Sequence, residues 1–327
     1  TIFLLSSIIP FFLILLLVST VSTTTAASAA AAASANKMDS TGTTNTSRRV
    51  AIVTGTRGIG KGIASAMADD GFDLLLTYNS NKEAAEEFIQ DLKSKHEGIQ
   101  CELVGGDLSK PEVRDAIFEC YDAQFGPSRI LGAVVHNAGQ YLGVTSTNEA
   151  GLGPSSTSFG DNKILDEETG KPKLDHMKFY QALYGDAFID LCERGIARMK
   201  QGGSLIGISS PGCNLSYSAN PGYSLPGSGK CIMEYSMRII AKTAGAKDIN
   251  CNVIVPGVTL SEAWDRLAEA RGVETGDITD RVVEARVPMK RPIATRGIGD
   301  VAAFLCSDKG RYITGISLPV DGGLHLG

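Results

Sequence analysis

Thr54-Gly55-Thr56-Arg57-Gly58-Ile59-Gly60 is the stretch of this chain most suited to chemistry. Glycines at such spacing let backbone N–H groups come close to an anion. A helix starting there adds partial positive charge, so a turn of this kind can hold a pyrophosphate. Many glycine-rich turns are merely tight turns, and the weight here comes from the neighbours. The apolar run Val50-Ala51-Ile52-Val53 precedes the turn, and Ile59, Ile63 and Met67 follow as one apolar helical stripe. Strand, glycine turn and helix together imply a dinucleotide-binding corner.

From Arg49 onward, strand-like and helix-like segments alternate, which predicts an α/β fold: a doubly wound parallel sheet with helices on both faces. The expected strands are 50–53, 74–78, 101–104, 130–135, 204–208, 252–255 and 317–320. Expected helices start at Ile59, near Asn81, after Ser109, near Leu174 (running to Met199) and near Gly229 (running to Thr243). Ser109 to Glu112 reads as a capping box. The polar stretch from about 140 to 173 reads as a surface insertion, either a lid or an unstructured excursion. No internal repeat or linker divides residues 48–327, so they are expected to form one domain.

The chain has 327 residues, 43% hydrophobic and 20% charged, with a net charge of −5. That is a globular composition without general attraction to nucleic acid. Residues 1–47 are expected to be a leader outside the fold. Ile8 to Val18 is an apolar run too short for the roughly 20 residues of a membrane span, and Ala27-Ser28-Ala29 and Ala33-Ser34-Ala35 offer A-x-A cleavage options. Residues 22–49 are rich in Ser, Thr and Ala and poor in acid, like a transit peptide. The two parts resemble the leaders of algae with secondary plastids. Plastid is the first expectation, with the secretory lumen or an uncleaved membrane anchor as alternatives. Seven scattered cysteines without C-x-x-C argue against a disulfide framework and against a zinc site, and no metal is expected.

Taken in order, these features resemble the short-chain dehydrogenase/reductase family over residues 48–327. The resemblance rests on the turn from Gly55 to Gly60, Asp107, Asn137-Ala138-Gly139, Ser210, Tyr223 with Lys230, Pro256-Gly257, and Val320-Asp321-Gly322-Gly323. It implies an oxidoreductase that transfers hydride between NADPH and a small carbonyl or enoyl substrate, possibilities that include 3-oxoacyl and 2-enoyl thioesters. It implies that Gly55, Thr56, Arg57, Gly58, Ile59 and Gly60 hold the cofactor's phosphates. NADPH is favoured because Tyr78-Asn79-Ser80 offers no acid for a ribose hydroxyl, while Arg57 can pair with a 2′-phosphate; alternatively Arg57 is a solvated turn residue. Asp107 is implied at the adenine, Asn137, Ala138 and Gly139 beside the cofactor, and Pro256, Gly257, Val258 and Ser261 near the nicotinamide. Residues 260–287 resemble the substrate lid, with Trp264, Leu267 and Ala268 facing either substrate or one another. The family also implies a homo-oligomer, dimer or tetramer, built on the two longest helices.

The implied chemical centre is Ser210, Tyr223 and Lys230. Hydride transfer to a carbonyl or conjugated double bond leaves negative charge on oxygen. A phenol can protonate or stabilise it, provided a cation lowers the phenol's pKa from its usual value near 10. Lys230 is the implied cation and Ser210 a second hydrogen-bond donor, with Ser209 and Tyr217 as the competing serine and phenol. The chain departs from the family in three places. Only two residues separate Gly55 from Gly58, where three are usual. Lys230 follows Tyr223 by seven positions rather than four, resembling the enoyl-thioester reductase branch. The segment Ala182-Leu183-Tyr184-Gly185 lacks the asparagine that relays protons in carbonyl reductases. These departures also fit a catalytically impaired NADP(H)-binding sensor or scaffold.

Overall fold

The strand residues of β1 (Arg49–Thr54) alternate between two apolar layers. Val50 and Ile52 belong to one core, and Ala51 and Val53 to the other. A strand apolar on both faces must be covered on both, which is how a central parallel strand is stabilised. In the computed structural model, which describes residues 48–126, 128–140, 164–166, 168–200, 202–271 and 273–327, β1 sits at the middle of a seven-stranded parallel sheet. Residues 1–47 and 141–163 lie outside the described set, and with them the expected leader and most of the expected insertion. Residues Arg48–Gly327 form one unit.

The remaining strands are β2 (Asp73–Tyr78), β3 (Cys101–Gly105), β4 (Ile130–His136), β5 (Gly203–Ile208), β6 (Ile249–Pro256), a short pair β7 (Thr259–Leu260) and β8 (Ile293–Ala294), and β9 (Ser317–Val320). The sheet order is β3-β2-β1-β4-β5-β6-β9. The order reverses between β1 and β4, and a ligand crevice forms at such a switch point, beyond the carboxyl ends of the strands. Helices α1 (Ile59–Asp69) and α2 (Lys82–Lys95) cover one face together with α9 (Thr295–Cys306). The other face carries α3 (Pro111–Gln124), α4 (Leu174–Tyr180), α5 (Ala187–Ile196) and α6 (Ser224–Ala244). Two helices, α7 (Glu262–Arg271) and α8 (Thr275–Arg286), form the segment expected as a lid.

Three elements differ from expectation, each for a local reason. The capping box at Ser109 is not used: α3 starts at Pro111, its N-cap Lys110 is extended (φ −93°, ψ 129°) and no side chain caps it. A residue before proline avoids the helical region, so the helix begins one position later. The single helix expected from Leu174 to Met199 is interrupted by a π-helical turn, Gln181–Asp186, between α4 and α5. Finally, α6 begins five residues before Gly229. Pro226 lies in its first turn, where N–H groups have no intrahelical partner and proline costs little.

Candidate active site

A cavity of about 480 Å³ opens at the switch point, and every residue singled out above as catalytic or cofactor-binding lines it except Gly60. Gly60 acts from beneath: a Cβ there would lie 2.0 Å from the Gly55 carbonyl oxygen and 2.6 Å from Asn137 Nδ2. The start of α1 can approach β1 only without that atom. Gly55 and Gly58 have φ of 85° and 52°, in the region that favours glycine. The shortened turn still closes, because Gly60 N–H donates to the Arg57 carbonyl (3.0 Å) and α1 begins at once. Gly58 N–H donates to the carboxylate of Glu262 at 3.1 Å. The turn therefore already presents an N–H to an anionic group, which is what a phosphate requires.

At the far end of the cavity, Asp107 Oδ1 accepts from Ser109 N–H (2.9 Å), while its Oδ2 and Asn79 Oδ1 are buried without a partner. Buried acceptors left unpaired cost about 1–3 kcal/mol each. A ligand's N–H or O–H donors would satisfy them, so this end fits an adenosine. Exposed Arg57 lines the same cavity as Asn79 and Ser80.

A buried network fixes the floor. Thr54 Oγ1 accepts from the N–H groups of Asn137 and Ala138 (2.9 Å each). With both lone pairs used, its own proton goes to His136 Nδ1 at 3.0 Å. The network thereby assigns the Nε2-protonated tautomer, which donates to the Leu183 carbonyl at 3.0 Å. Burial, reinforced by the Lys230 charge, lowers the imidazole to about 3 and keeps it neutral. The chain from β1 through β4 thus reaches the π-helical turn. His136 and Gln140 were not singled out from sequence, and Thr54 and Tyr184 were named only as parts of longer segments.

The π-helical turn matters because α6 packs against it almost backbone to backbone. A Cβ at Gly229 would sit 2.1 Å from the Tyr180 carbonyl oxygen. This closeness brings Lys230 Nζ over the Tyr184 ring, 3.9 Å from its centroid, with a 2.5 Å hydrogen bond to the Ile208 carbonyl. Burial lowers the Lys230 ammonium to about 8. Tyr184 occupies the region where the asparagine is missing. Its hydroxyl donates to the Gln140 carbonyl (3.0 Å) and accepts from the Gln140 N–H (3.2 Å), and burial holds its pKa well above 10.

Tyr223 is the N-cap of α6, and its hydroxyl lies 2.9 Å from Ser210 Oγ. Seven residues span almost two helical turns, so Tyr223 and Lys230 lie on one face of α6, about 10 Å apart along its axis. Both residues line the same cavity. Ser209 Oγ is buried without a partner, whereas Ser210 is the serine paired with the phenol. Tyr217 is committed elsewhere: its hydroxyl donates to Asp321 at 2.9 Å, and burial with that bond raises its pKa. Val258 is buried, and its carbonyl accepts from Ile293 N–H (2.8 Å). Ser261 Cβ lies 3.1 Å from where a Gly58 Cβ would be, so it covers the glycine turn. Trp264 lines the cavity and donates to the Thr259 carbonyl (2.9 Å), and Ala268 is buried. The side chain of Leu267 lies outside the described set. Among the described residues, no group of three or more His, Cys, Asp or Glu could hold a metal.

Activity at this site should fall as pH rises through about 8, where the Lys230 ammonium loses its proton. In Lys230→Arg, the falling limb of the kcat profile should move to higher pH. The sign for stability is opposite. A lysine whose folded pKa lies below its unfolded value penalises folding while charged, so this group's contribution rises between about pH 8 and 10.5. Thermal unfolding across that window reads it.

Residues 49–153 match the family described as short chain dehydrogenase, and residues 156–325, more than half of the chain, match Enoyl-(Acyl carrier protein) reductase. A short-chain type dehydrogenase/reductase of Picea abies is 29% identical, over 84% of this chain and 92% of its own. A 3-oxoacyl-[acyl-carrier-protein] reductase of Staphylococcus epidermidis is 26% identical, over 84% of this chain and 98% of its own. Among solved structures, L-sorbose reductase of Gluconobacter frateurii, complexed with NADPH and L-sorbose, superposes with a TM-score of 0.66 at 25% identity, covering 85% of this chain and 97% of that one. The seven-stranded sheet, the glycine turn at its switch point and these matches together make the chain a member of the short-chain dehydrogenase/reductase family of oxidoreductases.

Proposed function

We propose that this protein reduces a carbonyl group using NADPH, with Tyr223 as proton donor. The observation that carries this reading is the 2.9 Å pair of Ser210 Oγ and Tyr223 OH at the cavity wall. Two hydroxyls so placed can both point at one substrate oxygen. NADPH supplies the hydride when bound. Tyr223 gives its proton to the oxygen that becomes negative, and Ser210 donates a hydrogen bond to that oxygen. The Lys230 ammonium favours the phenolate left behind. The glycine turn, Asp107 and Asn79 supply the contacts for the dinucleotide, and Glu262, Ala263 and Trp264 at the start of α7 form one wall of the cavity. The L-sorbose reductase and the 3-oxoacyl reductase among the relatives support a carbonyl substrate.

One observation favours a second reading. The spacing of Tyr223 and Lys230 resembles enoyl-thioester reductases, where the phenol would hold an enolate instead. NADPH oxidation with a 3-oxoacyl and a 2-enoyl thioester, side by side, separates the two. Turnover of the enoyl substrate alone would replace the carbonyl reading. Tight NADPH binding without turnover of either, or of a panel of ketones, would support the sensor.

Arg57→Ala should weaken NADPH by about 10- to 100-fold, the worth of a charge-assisted hydrogen bond, and leave NADH nearly unchanged. Equal loss for both cofactors would remove Arg57 from the 2′-phosphate. Plastid targeting by residues 1–47 is also a proposal, resting on their composition, and a fluorescent fusion of the leader tests it. Assembly as a homo-oligomer rests on the family, and light scattering reads it.

A further inference from the structure

Two cysteines flank the catalytic residues in sequence and in space. Cys213 comes three positions after Ser210, and its N–H donates to the Ser210 carbonyl at 3.3 Å. Cys231 directly follows Lys230 on α6, and its Sγ lies 3.3 Å from the Cys213 carbonyl oxygen. The two thiols are close enough to shift each other's titration. Cys213 is buried and Cys231 is exposed, whereas Cys120 is half-buried and Cys101, Cys192, Cys251 and Cys306 are buried. Cys231 is thus the thiol most open to solvent, and its nearest sulfur partner is already in place. The proposed reduction uses neither.

We propose that Cys213 and Cys231 form a reversible disulfide in response to hydroperoxides, and that this bond switches the reductase off. The Cys231 thiolate attacks the O–O bond. An S–O bond forms, the O–O bond breaks, and the departing oxygen takes a proton to become water or an alcohol. The Cys213 sulfur then attacks the Cys231 sulfur. The S–S bond forms, the S–O bond breaks, and the hydroxide released takes the Cys213 proton. Two thiols are oxidised by two electrons and one hydroperoxide is reduced. A dithiol reverses the change by exchange.

Thiolate character supports the order of attack. The neighbouring Cys213 thiol lowers the Cys231 thiol to about 7, although burial and Glu234 act to raise it. The same proximity, with burial, raises Cys213. Attack therefore begins at the exposed sulfur, and the buried one resolves it.

The site explains why the bond would inactivate. Cys213 Sγ and the Tyr223 ring meet over Gly227: a Cβ there would lie 3.7 Å from the sulfur and 3.4 Å from the ring. Drawing Cys213 toward α6 shifts the loop that carries Ser210 and changes what Tyr223 packs against. A displacement of about 1 Å in a catalytic constellation can cost about 100-fold in rate.

The loss of turnover rests on the reductase reading, but formation of the bond does not. Full-length protein treated with hydrogen peroxide, then alkylated and digested without reductant, should yield a peptide joined through Cys213 and Cys231. NADPH-dependent turnover should fall at least about tenfold and return with dithiothreitol. Cys231→Ser should keep basal turnover and lose peroxide sensitivity. No joined peptide, or equal sensitivity in Cys231→Ser, would overturn the pair; a joined peptide with unchanged turnover would overturn the switch. If no substrate is turned over at all, the joined peptide and its reversal by dithiothreitol still decide the pair, and only the reductase reading fails.

Discussion

Tyr223→Phe should lower kcat by about 100- to 10,000-fold, the usual worth of a positioned general acid, with NADPH affinity nearly unchanged. The substitution keeps the ring, which packs over Gly227, and removes only the hydroxyl that pairs with Ser210 at 2.9 Å. Folding should lose no more than about 1 kcal/mol, the net worth of one such hydrogen bond. The effect should fall on the chemical step, so single-turnover NADPH oxidation is the measurement to make. Two other phenols stand nearby, and neither replaces Tyr223. Tyr184 is buried, bonded twice to the Gln140 backbone, and has a pKa raised by burial. Tyr217 donates its hydrogen bond to Asp321. A kcat within about fivefold of the parent, against the range expected of a general acid, would therefore remove Tyr223 from the proton transfer altogether.

The residues legible in the sequence are those whose function is local. Gly55, Gly58 and Gly60 are bound to a strand–turn–helix whose two sides show their own periodicity, so type and spacing sufficed. Ser210 and Tyr223 were legible only through the resemblance to the family, in whose motif order they stand. The parts that stayed hidden depend on contacts across the chain. His136 joins Thr54 to Leu183 over 82 and 47 positions, and nothing in either neighbourhood marks it as a strut. The π-helical turn is one extra residue in a helix of ordinary composition. The close approach of Gly229 to Tyr180 beside it exists only in the packed structure. The start of α6 was placed five residues late, at Gly229, although a first turn tolerates proline. Glu262 was passed over because its carboxylate meets Gly58 N–H across 204 positions.

That contact shapes the second large effect. Gly58→Asp should weaken NADPH at least about 100-fold, by two separable routes. Gly58 has φ 52° and ψ −123°, a conformation that side chains rarely adopt. The new Cβ would lie 3.1 Å from Ser261 Cβ, so the lid would have to give. Backbone strain of this kind costs about 1–3 kcal/mol. The carboxylate adds a negative charge beside both Glu262 and the site for the pyrophosphate. At about 4 Å, two like charges repel by roughly 1–4 kcal/mol, depending on how much water remains. Gly58→Ala carries the strain without the charge and should fall between parent and Gly58→Asp. NADPH fluorescence titration gives the affinities, and thermal unfolding without cofactor separates a lost site from a lost fold. The charge-dependent part should shrink as salt is raised, and the strain-dependent part should not. An unchanged NADPH affinity in folded Gly58→Asp would mean that the phosphates bind away from the glycine turn.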